Sequence, residues 1–248
     1  MRPRIPVAVR SDLGPTGTLR VGINQGNFLV VTKDPASGEL RGIAVDLARE
    51  LGRRADLPVE FITYPSAGKM AEAVKTGAWD VAFLGAEPER QNEISFTPAY
   101  LEIDATYLVP AGSPIRAIAE VDRDGIRIAV AAKSAYDLFL SRTVQRARLV
   151  RAEGIDASFN LFVADQLEAL AGLKPRLVAD AQALAGSRIL EGRFTAIQQA
   201  IGAPRGRDAG ARYLCDFIED AKASGMVARA METHGVRGVS VAPPAPAR

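Results

Sequence analysis

Few side chains in this chain are equipped for covalent chemistry at neutral pH. There is one histidine, His234, and one cysteine, Cys215. A single cysteine excludes an internal disulfide and any Cys-rich zinc or iron–sulfur site. A single histidine argues against a His-based metal site and against a Ser–His triad. His234 precedes Gly235 and reads as a cation closing a helix. Cys215 reads as a small helix residue, buried or half-buried. Ser66-Ala-Gly-Lys69 has a superficial likeness to a phosphate loop, but it lacks the glycine spacing and the hydroxyl residue after the lysine. What is left is the chemistry of recognition. Arg90, in Glu87-Pro88-Glu89-Arg90, carries a rigid fork of donors that matches the two oxygens of a carboxylate. On local sequence alone it reads instead as a surface arginine pairing with Glu87 or Glu93. Glu87 reads as an acid at a helix start, favoured by the helix dipole, or as a contact for a cationic group. Ser134 stands at a strand-to-helix junction, where its hydroxyl and the next N–H groups cap a helix or reach an anion. Asn24, Gln25 and Asn27 give one loop three neutral amides.

These residues are spaced along alternating strand and helix patterns. Residues 18–24 alternate apolar and polar and predict a first strand. Residues 44–54 predict a helix with Leu47, Ala48 and Leu51 on one face, and 59–63 a short strand. Ser66 caps a helix to residue 76, stopped by Gly77. Residues 79–84 are nearly all apolar, as in a strand covered on both faces. Pro88 opens a short helix at its favoured first position. The order β-α-β-α-β is that of a parallel sheet with helical crossovers. A strand at 105–109 runs into Pro110-Ala-Gly-Ser-Pro114, which reads as a domain crossover. A second series follows, with strands at 126–132, 147–151, 167–171 and 188–190 and helices at 134–146, 157–165 and 175–184. Residues 196–201 look extended and return the chain to the first domain. Residues 207–224 form an amphipathic helix carrying Leu214, Phe217, Ile218 and Ala221. Gly225 breaks it, and a last helix ends at His234-Gly235.

Composition sets the class. The chain has 248 residues, 48% hydrophobic and 24% charged, an ordinary soluble composition. That length fits one large or two smaller domains with real cores. The net charge of +2, from 31 basic and 29 acidic residues, leaves no basic field for nucleic acid. No run approaches the ~18 apolar residues of a membrane span, so no direct membrane insertion is expected. Residues 1–17 begin with the basic residues of a signal peptide but lack its apolar stretch. The chain is then cytoplasmic, or it is a periplasmic form in which Met1 replaces a removed signal peptide. Residues 241–248 read as an extended, mobile Pro/Ala tail. No cofactor and no metal is called for.

Several segments, in their order, resemble a known family. Leu19-Arg-Val-Gly-Ile-Asn24 is followed by Gly38-Glu-Leu-Arg-Gly42-Ile-Ala-Val-Asp46-Leu-Ala. Then come Glu87-Pro-Glu-Arg90-Gln-Asn-Glu-Ile-Ser-Phe96-Thr-Pro98-Ala-Tyr100, Lys133-Ser134-Ala135-Tyr136, and Ala221-Lys-Ala-Ser-Gly225-Met-Val-Ala. Over residues 19–236 they resemble the solute-binding proteins of amino-acid ABC transporters, the bacterial extracellular solute-binding proteins of family 3. The resemblance implies an α/β, two-lobed periplasmic-binding-protein-like II fold. Each lobe is a mostly parallel sheet flanked by helices, and a two-strand hinge joins them. Lobe 1 is then 18–108 with 196–236 and lobe 2 is 109–195, with an N-terminal arm at 1–17 and a tail at 237–248.

The same resemblance implies site residues. Arg90 matches the arginine that binds the ligand carboxylate. Gly85 and Ala86 stand where hydroxyl residues are usual, leaving backbone N–H groups as donors. Ser134 and Ala135 match the second-lobe ligand segment, and Lys133 replaces a small residue there. Asn27 takes a frequent tyrosine position, with Phe28 next to it. Tyr64 supplies an aromatic face, or is surface packing while Phe28 is core. Gln25 adds an amide. Gln198 and Gln199 lie near the hinge and face opposite ways. The ammonium-binding aspartate is replaced by Leu173, with Lys174 beside it, while Asp180 falls inside a helix. A buried ammonium without a partner costs several kcal/mol. The ligand is then a carboxylate without a free amine, or one whose amine Glu87 receives. The implied function is substrate binding for an ABC transporter, with a small carboxylate solute and a membrane permease as partners. The alternatives are a dehydratase or lyase on the same fold, with Glu87 as its acid, and a cytoplasmic small-molecule sensor.

Overall fold

In the computed structural model, which describes residues 5–246, two strand–helix series follow one another. The first runs through α1 (Val7–Leu13), β1 (Leu19–Asn24), the hairpin strands β2 (Thr32–Lys33) and β3 (Leu40–Arg41), α2 (Ile43–Ala55), β4 (Val59–Tyr64), α3 (Ala67–Glu72), β5 (Val81–Gly85), β6 (Ile94–Phe96) and β7 (Leu101–Val109). The second contains β8 (Arg127–Ala131), α4 (Ala135–Thr143), β9 (Arg148–Ala152), α5 (Ile155–Ala164), β10 (Ala169–Leu173), α6 (Lys174–Ala183) and β11 (Arg188–Ile189). The chain then returns through β12 (Thr195–Pro204) to α7 (Asp208–Ala223), α8 (Met226–Thr233) and β13 (Ser240–Val241). Unit 1 is Met1–Leu101, Gln198–Val236 and Val241–Arg248; unit 2 is Glu102–Ile197 and Arg237–Ser240. The divisions at 101/102 and 197/198 lie inside β7 and β12, whereas the sequence patterns put them at 108/109 and 195/196.

The sheet of unit 1 has the order β4-β1-β5-β12, with β6 on β12. β1 is parallel to β4 and β5, and β12 is antiparallel to β5. Every residue of β5 is buried, as expected of a strand covered on both faces. On one face Met70, Val74, Trp79, Ala82, Leu84 and Ile94 form a core cluster. The buried Trp79 indole donates to the Met70 carbonyl at 2.9 Å, so its burial leaves no polar atom unpaired. The segment predicted as an N-terminal arm contains α1, with Val9 and Leu13 buried; residues 1–4 lie outside the described residues. The Asp12 carboxylate accepts the Gly210 N–H at 2.9 Å, and the Arg207 guanidinium donates to the Asp12 carbonyl at 3.0 Å. Glycine at 210 permits this approach, since a Cβ there would stand 2.8 Å from the Asp12 Cβ.

The sheet of unit 2 has the order β7-β10-β8-β9, with β11 on β7. β8 is parallel to β9 and β10, and β10 is antiparallel to β7. Leu108, Ala129, Phe162, Leu167, Leu170 and Leu177 pack beneath the helices. Helix α4 stops at Thr143, three residues short of its predicted end. The cause is Asp122, whose carboxylate accepts the N–H groups of Gln145, Arg146 and Ala147 at 2.8–2.9 Å. The predicted Pro/Ala tail carries pairing of its own. Ser240–Val241 is a strand, and Ala242 donates to the Tyr100 carbonyl at 3.1 Å. Lys222 and Glu219 of α7 hold Pro243 and Ala245. These bonds meet the backbone groups that a Pro/Ala segment cannot pair within itself. Residues 247–248 lie outside the described residues.

Candidate functional site

In unit 1 the loops after β1, β4 and β5 leave one edge of the sheet. Asn24 pairs with Tyr64 and Gly22 with Ala82. Carried three residues on, the second pairing sets Gln25 level with Gly85. In parallel sheets this carboxyl edge is the usual ligand edge. Pro88–Arg90 forms a single 3-10 turn with the proline at its start. Arg90 is 7% exposed, so the surface reading is wrong. Its Nη1 donates to the Gly85 carbonyl at 2.6 Å. Burial pushes its pKa down to about 10, against the pull of Glu87 and Glu89. Glu87 is buried in the same loop.

The neighbouring candidates divide into braces and open groups. The Ala86 N–H donates to the Gln198 carbonyl at 2.8 Å. It is therefore committed to β12, which removes it as an anion donor. Asn27 is buried, and its Oδ1 accepts the Leu29 N–H at 3.2 Å while its carbonyl accepts from Val30 and Val31. It braces the loop. Gln25 is exposed, and its N–H donates to the Tyr64 carbonyl at 3.0 Å. Tyr64 is half-buried against the Trp79 cluster, and burial raises its pKa. Phe28, weighed as core, is 42% exposed. Leu29, Val30 and Val31 fill the buried positions of that loop instead. Gln199 pairs with Gly85 and Ile201 with Phe83, and the Phe83 and Tyr100 rings meet edge-on at 5.9 Å. Gln199 and Tyr100 thus share one sheet face, and Gln199 Oε1 and Tyr100 Oη have no partner among the described residues.

In unit 2 the corresponding edge carries two junctions. Ser134 Oγ accepts the Asp137 N–H at 3.1 Å, a helix N-cap, and the Ser134 side chain also bonds the buried Tyr136 hydroxyl. Ala135 is buried. Lys133 is exposed and has φ +55°. Its N–H donates to Asp137 Oδ2 at 2.7 Å. Asp137 is buried, and Arg151 Nε donates to its two oxygens at 2.9 and 3.1 Å. At the second junction Leu173 is buried, and Lys174, half-buried, is the first residue of α6. Asp180 lies inside α6, accepting from Arg176 at 2.8 Å, and Arg176 also reaches Asp156 at 2.6 Å. Burial raises the Asp180 pKa against the pull of Arg176. Among the described residues no three His, Cys, Asp or Glu side chains are placed to hold a metal ion. None of the described helices is long and apolar enough to cross a membrane.

Residues 19–236 match the family described as bacterial extracellular solute-binding proteins, family 3. The chain belongs to this family. As a family-3 solute-binding protein it is 22% identical over 209 residues to the ABC transporter glutamine-binding protein GlnH of Bacillus subtilis, covering 82% of this chain and 76% of that one. Among solved structures, the L-cysteine solute receptor of Neisseria gonorrhoeae superposes with a TM-score of 0.78 at 21% identity, covering 91% of this chain and 93% of the receptor. An ancestral amino acid-binding protein, AncCDT-1, described as a precursor of cyclohexadienyl dehydratase, has a TM-score of 0.75 at 20% identity, covering 90% and 97%. At these identities the likeness is one of fold.

Within this solute-binding protein the predicted residues fall into two groups. Gly85, Ala86, Glu87 and Arg90 share one loop of unit 1, with Gln25 and Asn27 in the next and Tyr64 at the adjacent strand end. Ser134, Ala135 and Lys174 lie at the two junctions of unit 2. Sequence reasoning missed Asp137, which fixes both Lys133 and the start of α4. The pattern Ser134-Ala-Tyr-Asp137, a hydroxyl with an acid three residues on, was its signal.

Proposed function

We propose that this solute-binding protein is the substrate-binding component of an ABC transporter. Its two units close by hinge motion on a small carboxylate-bearing solute, an amino acid or a related organic acid. The observation that carries the reading is Arg90. A guanidinium 7% exposed, at the carboxyl edge of a sheet, is a fork whose pairing with a carboxylate is strengthened by desolvation. Ser134, Ala135 and Lys174 face the solute from unit 2, and Gln25, Tyr64 and Glu87 complete the unit 1 side. The chain passes between the units through β7 and β12, a two-strand connection suited to a hinge. The partners are the solute and a membrane permease, and the working compartment is the periplasm. The ABC transporter relative supports this reading. A lyase on the same fold is not favoured. The neighbour described as a dehydratase precursor is itself an amino acid-binding protein by name.

Thermal unfolding against a panel of amino acids and amine-free carboxylates tests the proposal. A solute at 100 times its Kd adds about 2.7 kcal/mol. A carboxylate is expected to raise Tm in the wild type and to leave Arg90→Ala unmoved. No rise with any solute would sink the reading.

A further inference from the structure

We propose that Asp137 is a positioning residue for solute binding: from the first turn of α4 it holds the turn at 131–134 in the shape that presents Ser134 and Ala135 to the solute. The inference deepens the proposed function and rests on it, and every group it invokes on the protein lies within unit 2. Strand β8 stays beside β9 as far as Ala132, whose N–H donates to the Ala152 carbonyl at 2.8 Å. The chain then turns into α4, and the Ser134 N–H closes the turn onto the Ala131 carbonyl at 3.1 Å. Lys133 is the third residue of that turn and has φ +55°. Glycine or asparagine is the usual occupant of such a position, because a larger side chain crowds the left-handed backbone. A lysine there leaves the turn without a local preference to hold it.

Asp137 supplies the hold. Its Oδ2 accepts the Lys133 N–H at 2.7 Å, and its own N–H donates to Ser134 Oγ at 3.1 Å. One residue thus grips the turn at two successive positions. The Asp137 carboxylate is itself fixed from two sides. Arg151, on β9, donates from Nε to both of its oxygens at 2.9 and 3.1 Å. Arg151 Nη2 also donates to Ser141 Oγ at 2.8 Å, and that hydroxyl donates to the Asp137 carbonyl at 2.7 Å. Capping α4 does not call for this arrangement. The cap is made by the Ser134 hydroxyl and the Asp137 N–H, and the carboxylate takes no part in it. A buried carboxylate that must be matched by a guanidinium is costly to keep. What it adds is the backbone conformation of Lys133, and with it the direction in which Ser134 and Ala135 leave the sheet. A segment already held in its bound shape loses less freedom when a ligand arrives, and binds more tightly for it.

Isothermal titration of the full chain with L-glutamate, L-leucine, succinate and butyrate tests this. For each of these that binds the wild type, Asp137→Ala is expected to weaken binding by about tenfold or more. Asp137→Asn keeps an oxygen for the Lys133 N–H and should stay within about threefold of the wild type. The readout that a merely structural role would not move is a double-mutant cycle with Lys133→Gly, since glycine takes the left-handed backbone unaided. In that background Asp137→Ala is expected to cost less than about threefold. Lys133→Val, whose branched Cβ resists φ +55°, should weaken binding by about tenfold with Asp137 intact, which keeps the test decisive if Asp137→Ala does not fold. Wild-type affinity in Asp137→Ala or in Lys133→Val would overturn the positioning role and leave solute binding standing. So would an equal loss on Asp137→Ala in the lysine and glycine backgrounds. Binding of none of the four by the wild type overturns both proposals.

Discussion

The Tyr100 hydroxyl is wholly buried without a partner among the described residues, and so is Gln199 Oε1 on the same sheet face. A buried hydroxyl left unpaired costs about 1–3 kcal/mol. Its burial also pushes the Tyr100 pKa far up, so the group stays neutral over the whole working range. Tyr100→Phe removes that cost while keeping the ring against Phe83. Its Tm is expected to equal or exceed that of the wild type, by up to about 1 kcal/mol of stability. A clear fall in Tm would show that the hydroxyl is satisfied after all. Arg90 is a contrasting case at the same scale. Its burial also costs free energy, but its Nη1 donates to the Gly85 carbonyl, and its guanidinium is the group proposed to meet a carboxylate. Local sequence could not separate these cases. Arg90 sits among charged neighbours like any surface arginine, and only the turn at Pro88 and the strand before it carry it inward.

At the scale of elements, the strands and helices of both β/α series were legible because their apolar spacing is strong. What was not legible depends on distant partners. The end of α4 is set by Asp122, more than twenty residues earlier, which takes three backbone N–H groups that a longer helix would use. Helix α1 is too short to show a period, and it is held by Arg207 and Gly210 from the other end of the chain. The exposure of Phe28 follows from its three apolar successors claiming the core. The role of Asp122 is testable. Asp122→Ala leaves three amides without their acceptor and is expected to destabilise by about 1–2 kcal/mol. Hydrogen exchange should quicken first at Gln145, Arg146 and Ala147. Unchanged exchange there would mean that another group sets the end of α4.

For the whole molecule, acid is the informative stress. Asp34, Glu50, Asp80, Glu120, Asp122 and Glu168 are all held below their ordinary pKa. For Glu50 the leading cause is the hydrogen bonding of Arg53, which brings it to about 2. At Asp80 burial pushes upward, but the bonds from Arg20 and Arg207 outweigh it. A group with a depressed folded pKa binds fewer protons folded than unfolded. Its contribution is complete above the unfolded value and is lost as pH falls through the folded one. Asp180, raised by burial, works with the opposite sign and gains as pH falls, but it stands alone against six. Stability is therefore expected to hold down to about pH 5 and then to drop steadily toward pH 2. Urea unfolding at pH 7, 5, 4 and 3 checks this. Asp80→Asn should lower stability at pH 7 and flatten the acid limb, because it removes one titrating group and the charge that pairs with both Arg20 and Arg207. A midpoint that stays level from pH 5 to pH 3 would mean that these carboxylates are held equally well in the unfolded chain.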